Sequence, residues 1–465
     1  MSHETRPRAT DALRRRIVGG LVASGLAVAL AICQAWPAAA QSLIRDAEIE
    51  RTLQRLAYPL FRAAAVSPSS VRIFIVNDPE PNAFVAGGSN IFINTGLLTE
   101  LGSMDEVQAV IAHELGHLTG GHQITRDEAM AGAKVFGVLG MIGAAAATVA
   151  GSPQAGLAIA AGSSQAAMRN VLAHTRAEEA AADQSGLRYL SAAGAEPDAM
   201  LRVLDHFRGQ DAMLGGYNVD AYAQSHPLWS ERISLIEDRV AKLPKGSPPS
   251  PEDDYWYRRM VAKLDAFLNS PATTLRTYPE SDTSEPARLA RAVAWHRRPD
   301  PAKAAAAIDG LIAIRPDDPW YNELKGQFLL ETGKAVPAAA AYRRAAELAP
   351  DEPLVLAGLG RALLNEDRDD ATAEARDVLA RAQTLDKAGD PGMLRDLALA
   401  EARLGHDGAA ALATAERFAL TGEWRDAARN AQRAADLLPY ASPGWQRAQD
   451  LVTISTRALK SSRKP

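Results

Sequence analysis

The second half of the chain repeats a pattern of small and apolar residues about every 34 residues, and each repeat closes on a proline. Pro316 and Pro350 are 34 residues apart, and a third matching segment ends at Pro439. The small residues would let two helices approach closely, and the proline would end each unit. The unit that closes at Pro350 carries Gly326, Leu329, Gly333, Ala338, Tyr342 and Ala345 at the marked positions.

This spacing resembles the tetratricopeptide repeat, a helix pair about 34 residues long. We expect four or five units between about 255 and 460, with a short insertion near Asp369-Asp370. Such an array forms a concave surface for peptides or protein partners and performs no chemistry itself. The alternative is a helical domain without a repeat.

The length of the chain, 465 residues, is too great for one compact core and indicates two or three domains. Hydrophobic residues make up 47% and charged residues 23%, which excludes a polytopic membrane protein and a mainly disordered chain. The net charge of −5 gives no basic field that would attract nucleic acid, so we expect no nucleic-acid partner. The Pro- and Ser-rich stretch at 244–256 predicts a linker between domains over 41–243 and 257–465.

The first forty residues have the layout of a cleavable signal peptide. Five arginines precede an uncharged stretch, Ile17–Ala40, which ends in Ala38-Ala39-Ala40. Cleavage there would remove the only cysteine, Cys33, and a chain without cysteine suits an oxidising compartment such as the periplasm. Alternatives are an uncleaved membrane anchor and lipidation at Cys33, although Ile32 before it is larger than lipoprotein signals prefer.

The residues that follow predict a helix, a small sheet and a second helix. The stretch 43–64 is amphipathic, 71–76 is rich in β-branched and aromatic residues, and 82–94 holds two short strands around Gly87-Gly88. Ser103 and Glu106 form a capping box before an apolar run that Gly120-Gly121 would end.

Residues 131–168 are almost uncharged and rich in alanine and glycine. The unbroken apolar run within them has sixteen residues, which is short for a transmembrane span. We expect a helical hairpin that lies over an active site, touches a membrane surface peripherally, or is buried in the core. Helices over about 176–193 and 196–208 follow.

His113-Glu114-Leu115-Gly116-His117 is an H-E-x-x-H motif. His113 and His117 are one helical turn apart, so both imidazoles project from one face and can bind one Zn²⁺. Glu114 would lie beside the metal as the general base for its bound water. Two histidines and a carboxylate in an apolar helix would be costly to bury without a metal.

A catalytic zinc needs a third protein ligand and an open fourth position. Glu179 and Asp183 are four residues apart on a predicted helix and share a face. We expect Glu179 to be the third ligand and Asp183 to accept a hydrogen bond from a ligating histidine. Glu178 is the competing candidate, but it points about 100° away from the face of Asp183.

These motifs resemble those of gluzincin peptidases of the HtpX and CAAX prenyl protease type. Their pattern is H-E-x-x-H, a gap of about sixty residues, then E-x-x-A-D, which here is Glu179-Ala180-Ala181-Ala182-Asp183. Arg176 fits the pattern as well. The resemblance implies that Asn82-Ala83-Phe84 lies on a strand that pairs with substrate backbone.

A signal peptide, a protease and a repeat array together resemble the BepA-like branch of periplasmic zinc metalloproteases. The implied fold class is mainly α with a small β-sheet, a gluzincin-type metallopeptidase domain followed by an α-helical tetratricopeptide-repeat solenoid. That branch serves outer-membrane β-barrel assembly, so the implied partners are unfolded or misassembled envelope proteins and, through the repeats, the barrel assembly machinery.

The segment that contains His226, Pro227 and Arg232 matches a loop of that branch in which the histidine can occupy zinc's fourth position. A neutral His226 there would displace the catalytic water and hold the enzyme latent. The alternatives are a residue at a helix start without a metal role and a hydrogen-bond donor to the transition state. His122 and His174 lack the spacing of a ligand and are expected at the surface or behind the ligands.

The sequence therefore predicts a zinc metalloendopeptidase, with one Zn²⁺ per chain, that degrades misfolded or misassembled envelope proteins and has a chaperone-like role. The alternative is a tetratricopeptide-repeat chaperone or scaffold whose zinc site is latent or structural. A further alternative is an intramembrane peptidase whose 131–168 hairpin enters the bilayer.

Overall fold

The computed structural model describes residues 43–122, 176–208, 226 and 230–461. These residues form a mainly α protein with one four-stranded sheet and a long helical array, which confirms the expected fold class. The predicted signal peptide over 1–40, with Cys33, and the predicted apolar hairpin over 131–168 lie outside the described residues. Among the helices that are described, none has both the length and the apolar character that crossing a bilayer requires.

The sheet has the strand order β1-β2-β4-β3, so β3 lies at one edge. β2 pairs with β4 in parallel, and β3 and β4 form an antiparallel hairpin whose turn contains Gly87-Gly88. The strands are β1 (Leu43–Ile44), β2 (Arg72–Val76), β3 (Ala83–Ala86) and β4 (Asn90–Asn94).

The two faces of the sheet differ because side chains alternate along each strand. On one face Phe92 stacks between Phe74 and Phe84, with ring centroids 5.2 and 5.1 Å apart. On the other face the alternate positions enter the core of this half of the chain; these are Ile75, Ile93 and Ala83.

Among the described residues, six helices accompany the sheet: α1 (Ala47–Ala63), α2 (Thr95–Glu100), α3 (Met104–Gly120), α4 (176–193), α5 (Asp198–Arg208) and α6 (Ser230–Val240). The helix expected over 43–64 begins later, because Asp46 caps it by accepting a hydrogen bond of 3.0 Å from the Ile49 amide.

Helix α3 is the centre of this half and is buried on all sides. Every residue from Val107 to His117 is buried, as expected for a helix that is apolar around its circumference. The capping box forms, since Ser103 Oγ accepts from the Glu106 amide at 3.4 Å. The carboxylate of Glu106 accepts from the amide of Gly102 rather than from that of Ser103. The helix ends at Gly121, which has the left-handed φ of 66°.

The described residues from 251 to 461 form a run of paired helices. The first helices of successive pairs start at Glu285, Pro319 and Pro353, 34 residues apart, in agreement with the tetratricopeptide period. The helices are α7 (Pro251–Leu268), α8 (Pro271–Thr277), α9 (Glu285–Arg297), α10 (Pro301–Ile314), α11 (Pro319–Glu331), α12 (Ala335–Leu348), α13 (Pro353–Leu364), α14 (Asp369–Leu385), α15 (Pro391–Arg403), α16 (Asp407–Leu420), α17 (Trp424–Leu437) and α18 (Pro443–Ser461).

The insertion expected near Asp369-Asp370 lies elsewhere. Asp369 starts its helix in register with Ala335 of the preceding pair, so nothing is inserted before it. The extra residues follow, because α14 has 17 residues where α12 has 14. A helix that gains length at its C-terminal end keeps its packing face and changes only the connection to the next pair.

Helix α1 packs directly against the array. Arg259 and Lys263 of α7 are fully buried and form ion pairs with Glu48 at the start of α1. Farther along α1, Arg51 lies 3.1 Å from Glu352, which precedes α13. Residues 251–256, which the sequence assigns to the linker, belong to α7, while the domain boundaries themselves remain predictions.

Candidate metal centre

Helix α3 presents His113 and His117 from one face, one turn apart. Both residues are buried, and their Nε2 atoms lie 3.1 Å from each other. The two rings are nearly perpendicular, at 81°. Two nitrogen lone pairs converge on one point, which is what the H-E-x-x-H spacing predicts.

Helix α4 brings a carboxylate to the same point. Glu179 is completely buried, with Oε2 3.3 Å from His113 Nε2 and Oε1 3.2 Å from His117 Nε2. The close crossing of α3 and α4 depends on Gly116, inside the motif. A Cβ there would lie 2.5 Å from the carbonyl oxygen of Ala182.

His226 contributes a third imidazole. Its Nδ1 lies 3.1 Å from His113 Nε2 and 3.1 Å from Glu179 Oε2. Its Nε2 lies 3.4 Å from Glu114 Oε1 and 3.2 Å from the carbonyl oxygen of Ala83. His226 therefore stands between the H-E-x-x-H helix and the edge strand.

These donors fit a tetrahedral divalent metal. The candidate ligand atoms of His113, His117, Glu179 and His226 all lie within 4.8 Å of one another. Zinc bonds of about 2.0–2.1 Å in a tetrahedron separate neighbouring ligand atoms by about 3.3–3.4 Å, close to the 3.1–3.3 Å separations found here. Three imidazole nitrogens and one carboxylate are a donor set that zinc accepts.

A buried ion pair supports the cluster from behind. Asp183 Oδ1 lies 2.9 Å from His113 Nδ1, and both carboxylate oxygens of Asp183 accept from Arg232, at 2.7 and 2.9 Å. Arg232 also lies 3.2 Å from Glu179 Oε2 and donates to the carbonyl oxygen of His226. One guanidinium thus holds α4 and the His226 segment together.

Sequence reasoning expected Asp183 to accept a hydrogen bond from a ligating histidine, without saying which, and gave Arg232 no role. A signal was present, because Arg232 lies six residues after His226 in the segment that matched the family loop. Arginine binds a carboxylate with two parallel hydrogen bonds, and here that geometry is fully buried.

The electrostatics of the cluster keep both carboxylates ionised. Burial alone would raise the pKa of Glu179, but the adjacent His226, His113 and His117 hold that pKa well below its usual value. Burial would likewise raise the pKa of Asp183, and Arg232 with His113 lowers it.

The two motif histidines have opposite pKa shifts. Burial would lower the pKa of His113, but hydrogen bonds to Asp183 and Glu179 outweigh burial and raise it to about 10. Burial lowers the pKa of His117. Carboxylates that stay ionised are what a cation site requires.

Glu114 is buried beside the cluster on the same helix, 1% exposed. Its Oε1 makes no hydrogen bond to any described residue, apart from the 3.4 Å approach of His226 Nε2. A buried carboxylate oxygen at this position is available to accept a proton from a group bound at the cluster.

The predicted substrate strand lies along the site. Ala83 and Phe84 belong to the edge strand β3, and Asn82 comes immediately before it and accepts from the Asn94 amide at 2.9 Å. The carbonyl oxygen of Ala83 faces His226, and Phe84 stacks on Phe92. Edge strands carry backbone groups that can pair with an extended peptide.

The remaining histidines divide into two groups. His122 contacts His117 from the side opposite the cluster, and His174 lies outside the described residues. His206, His296 and His406 each lie beside a glutamate away from the cluster.

Comparison with known proteins relates the fold and the site to a peptidase family. A family model described as peptidase family M48 matches residues 43–240. These residues are thus similar to M48 peptidases. The match contains all four candidate ligands together with Glu114, Asp183 and Arg232, so the chain is a metallopeptidase, and the matched family implies a divalent metal.

Curated relatives extend the similarity beyond the M48 domain. The beta-barrel assembly-enhancing protease of Yersinia pestis is 26% identical over 83% of this chain and 79% of its own length. The protein of the same name from Escherichia coli K12 is 25% identical over 82% of this chain and 77% of its own length. The mitochondrial metalloendopeptidase OMA1 of Schizosaccharomyces pombe is 26% identical over 41% of this chain and 51% of its own length.

Proposed function

We propose that the chain is a zinc-dependent endopeptidase of the periplasm that cleaves unfolded or misassembled envelope proteins. The observation that carries the proposal is the convergence of three imidazole nitrogens and a buried carboxylate within 4.8 Å, beside Glu114 and an edge strand. The names of the relatives, which are beta-barrel assembly-enhancing proteases, support a role in β-barrel assembly, which we propose takes place at the outer membrane.

In this proposal His113, His117 and Glu179 hold Zn²⁺. When bound, the zinc would supply a water of lowered pKa and polarise the scissile carbonyl. Glu114 would act as the general base that accepts a proton from the nucleophile and as the general acid that returns it to the leaving amine. Asp183 fixes the ring of His113 through Nδ1, and Arg232 keeps Asp183 ionised and in position.

The edge strand β3 orients the substrate. An extended peptide that pairs with Asn82, Ala83 and Phe84 would use the backbone of β3 as its partner. That pairing would carry the scissile bond past Glu114, since the carbonyl of Ala83 and Glu114 Oε1 both lie within 3.4 Å of His226 Nε2.

His226 is proposed as a latch in this arrangement. Its Nδ1 lies 3.1 Å from His113 Nε2 and 3.1 Å from Glu179 Oε2, so His226 would fill the ligand position that a catalytic zinc site leaves open for water. Activity would then require that His226 leave the cluster.

The domain division proposed from the sequence is a signal peptide over 1–40, a metallopeptidase over 41–243, a linker over 244–256 and repeats over 257–465. Export by the signal peptide would place the protein in the periplasm. The repeats would recruit the client or a component of the barrel assembly machinery through their concave surface. Peripheral membrane contact through 131–168 remains part of the proposal.

Glu114→Gln tests the catalytic part of the proposal. Metal content and hydrolysis of fluorescein-labelled casein, an unfolded protein, are measured together, in the wild-type and His226→Ala backgrounds. We expect one zinc per chain throughout and a loss of hydrolysis of about 10²–10⁴-fold.

The scaffold alternative rests on the length of the repeat array and predicts a different result. If the envelope phenotype and client turnover survive Glu114→Gln, the working part of the protein is the array. The zinc would then be structural or latent.

A further inference from the structure

His122, two residues beyond the end of α3, turns its ring back toward the metal cluster. Its Nδ1 lies 3.0 Å from Nδ1 of His117, and the two ring centroids are 5.0 Å apart at 82°. The residue is 9% exposed, so this contact is shielded from water. The contact is made to the ring nitrogen of His117 that faces away from the cluster.

The chemistry of imidazole fixes the direction of this hydrogen bond. His117 points Nε2 at the cluster, 3.1 Å from His113 Nε2 and 3.2 Å from Glu179 Oε1. A neutral imidazole carries one proton, so when Nε2 gives its lone pair to a metal the proton lies on Nδ1. The Nδ1–H of His117 then donates to Nδ1 of His122, which carries its own proton on Nε2.

The backbone is shaped to allow this contact. Gly121 reverses the chain at the end of α3 with a φ of 66°, which glycine adopts without strain. A Cβ on Gly120 would lie 2.3 Å from Nε2 of His122. The glycine pair that the sequence marks as a helix end therefore also provides the space for the ring of His122.

The Nδ1 atoms of the two motif histidines therefore have different partners. Asp183, an ionised carboxylate, stands 2.9 Å from Nδ1 of His113, whereas the imidazole ring of His122 stands at the same place behind His117. A ligand histidine needs such a partner because it fixes both the tautomer and the orientation of the ring.

We propose that His122 is a positioning residue of the metal centre, whose Nδ1 accepts the proton of His117 Nδ1 and so directs Nε2 at the metal. The inference rests on the proposed ligation of the metal by His117. Partners of ligating histidines contribute about 10–100-fold in metal affinity.

Three substitutions distinguish the contribution of this hydrogen bond to metal binding from the contribution of side-chain packing. In His122→Asn the side-chain oxygen takes the position of Nδ1, in His122→Gln it lies near the position of Nε2, and in His122→Ala no acceptor remains. The zinc dissociation constant is measured by competition with a chromogenic chelator. The Co²⁺-substituted proteins give a d–d spectrum, and circular dichroism reports folding.

We expect His122→Asn to bind zinc nearly as tightly as the wild type. His122→Gln and His122→Ala should bind about 10–100-fold more weakly, with a changed Co²⁺ spectrum. His206→Ala, a histidine outside the cluster, serves as the control and should bind as the wild type does. Equal affinity in all three variants, or an Asn variant as weak as the Ala variant, would overturn the inference.

A measurement on the unaltered protein covers the case in which the variants fold poorly. In zinc-loaded wild type labelled with ¹⁵N-histidine, the N–H···N bond should give a scalar coupling between Nδ1 of His117 and Nδ1 of His122. Absence of that coupling contradicts the inference while the proposed function stands. Failure of the wild type to bind zinc, or undiminished binding by His117→Ala, would overturn the proposed function and this inference with it.

Discussion

Nε2 of His226 lies 3.2 Å from the carbonyl oxygen of Ala83, on the edge strand that is proposed to bind substrate. The other nitrogen of the same ring lies 3.1 Å from Glu179 Oε2 in the cluster. An extended substrate would need the Ala83 carbonyl as an acceptor, and catalysis would need the fourth ligand position. If zinc binds as proposed, this one ring would block a substrate contact and the place of the catalytic water together.

His226→Ala should therefore raise peptidase activity. In a two-state protein the minor form is populated at about 0.1–10%, so removal of the latch should increase the rate about tenfold or more. The rate is measured with labelled casein at equal metal content, and His206→Ala is the matched control. A rate equal to that of the wild type would contradict the latch, and a reduced rate would favour a transition-state role for His226.

The choice of Glu179 over Glu178 as a ligand can be tested by a pair of neighbouring substitutions. Both glutamates are buried, at 0% and 6% exposure, but only Glu179 has its carboxylate in the cluster. Glu179→Gln removes a charged ligand and should abolish stoichiometric zinc binding, whereas Glu178→Gln should retain it. Metal analysis after dialysis against a weak chelator distinguishes the two, and zinc loss from Glu178→Gln alone would reverse the assignment.

The part of the site that the sequence predicts well is the part carried by single helices. His113 and His117, like Glu179 and Asp183, are four residues apart, and a helix places such residues on one face wherever it packs. The two pairs could each be recognised without knowledge of the fold. That they meet depends on α3 crossing α4, which the family resemblance supplied and spacing alone does not.

The contacts that sequence reasoning missed or left open are those between elements. Arg232 reaches Asp183 and Glu179 from another helix, and His122 reaches His117 only after the chain reverses at Gly121. No local periodicity encodes these distances. Such contacts can be expected in part, because each buried metal ligand has a second polar atom that needs a hydrogen-bond partner.

Gly116, the glycine inside the H-E-x-x-H motif, gives a further prediction. A Cβ at this position would come within 2.5 Å of the Ala182 carbonyl oxygen, so Gly116→Ala must push α4 away from α3. We expect a loss of about 1–3 kcal/mol in the free energy of unfolding, together with weaker zinc binding, because Glu179 moves with α4.

Gly310→Ala is the matched control for this substitution. Gly310 lies within a helix of the array, and a Cβ there meets nothing within 4 Å. Replacing it by alanine should stabilise the protein by up to about 1 kcal/mol and leave zinc binding unchanged. Chemical denaturation and chelator competition measure both quantities, and a Gly116→Ala protein that matched the wild type in both would refute close helix crossing.

The contact between α1 and the array predicts a pH dependence. Glu352 is 8% exposed, and burial raises its pKa to about 7, although Arg51 at 3.1 Å opposes the shift and Glu50 adds to it. Below its ordinary pKa of 4.5 the carboxyl is protonated in both folded and unfolded chains, and the folded state has its full stability. As the pH rises toward and through 7, the unfolded chain ionises first, so stability is lost.

Glu352→Gln should remove this part of the pH dependence, because a neutral amide mimics the protonated acid at every pH. A shift from 4.5 to about 7 corresponds to at most about 3 kcal/mol between pH 4.5 and 8. Thermal unfolding of wild type and variant across that range gives the difference in their stability at each pH. The titration of the metal ligands is common to both proteins and cancels in this difference. Asp351→Asn, at an exposed neighbour paired with Arg381, is the control and should follow the wild-type profile. Parallel profiles for wild type and Glu352→Gln would show that Glu352 is ionised in the folded protein throughout, with its charge fully compensated by Arg51.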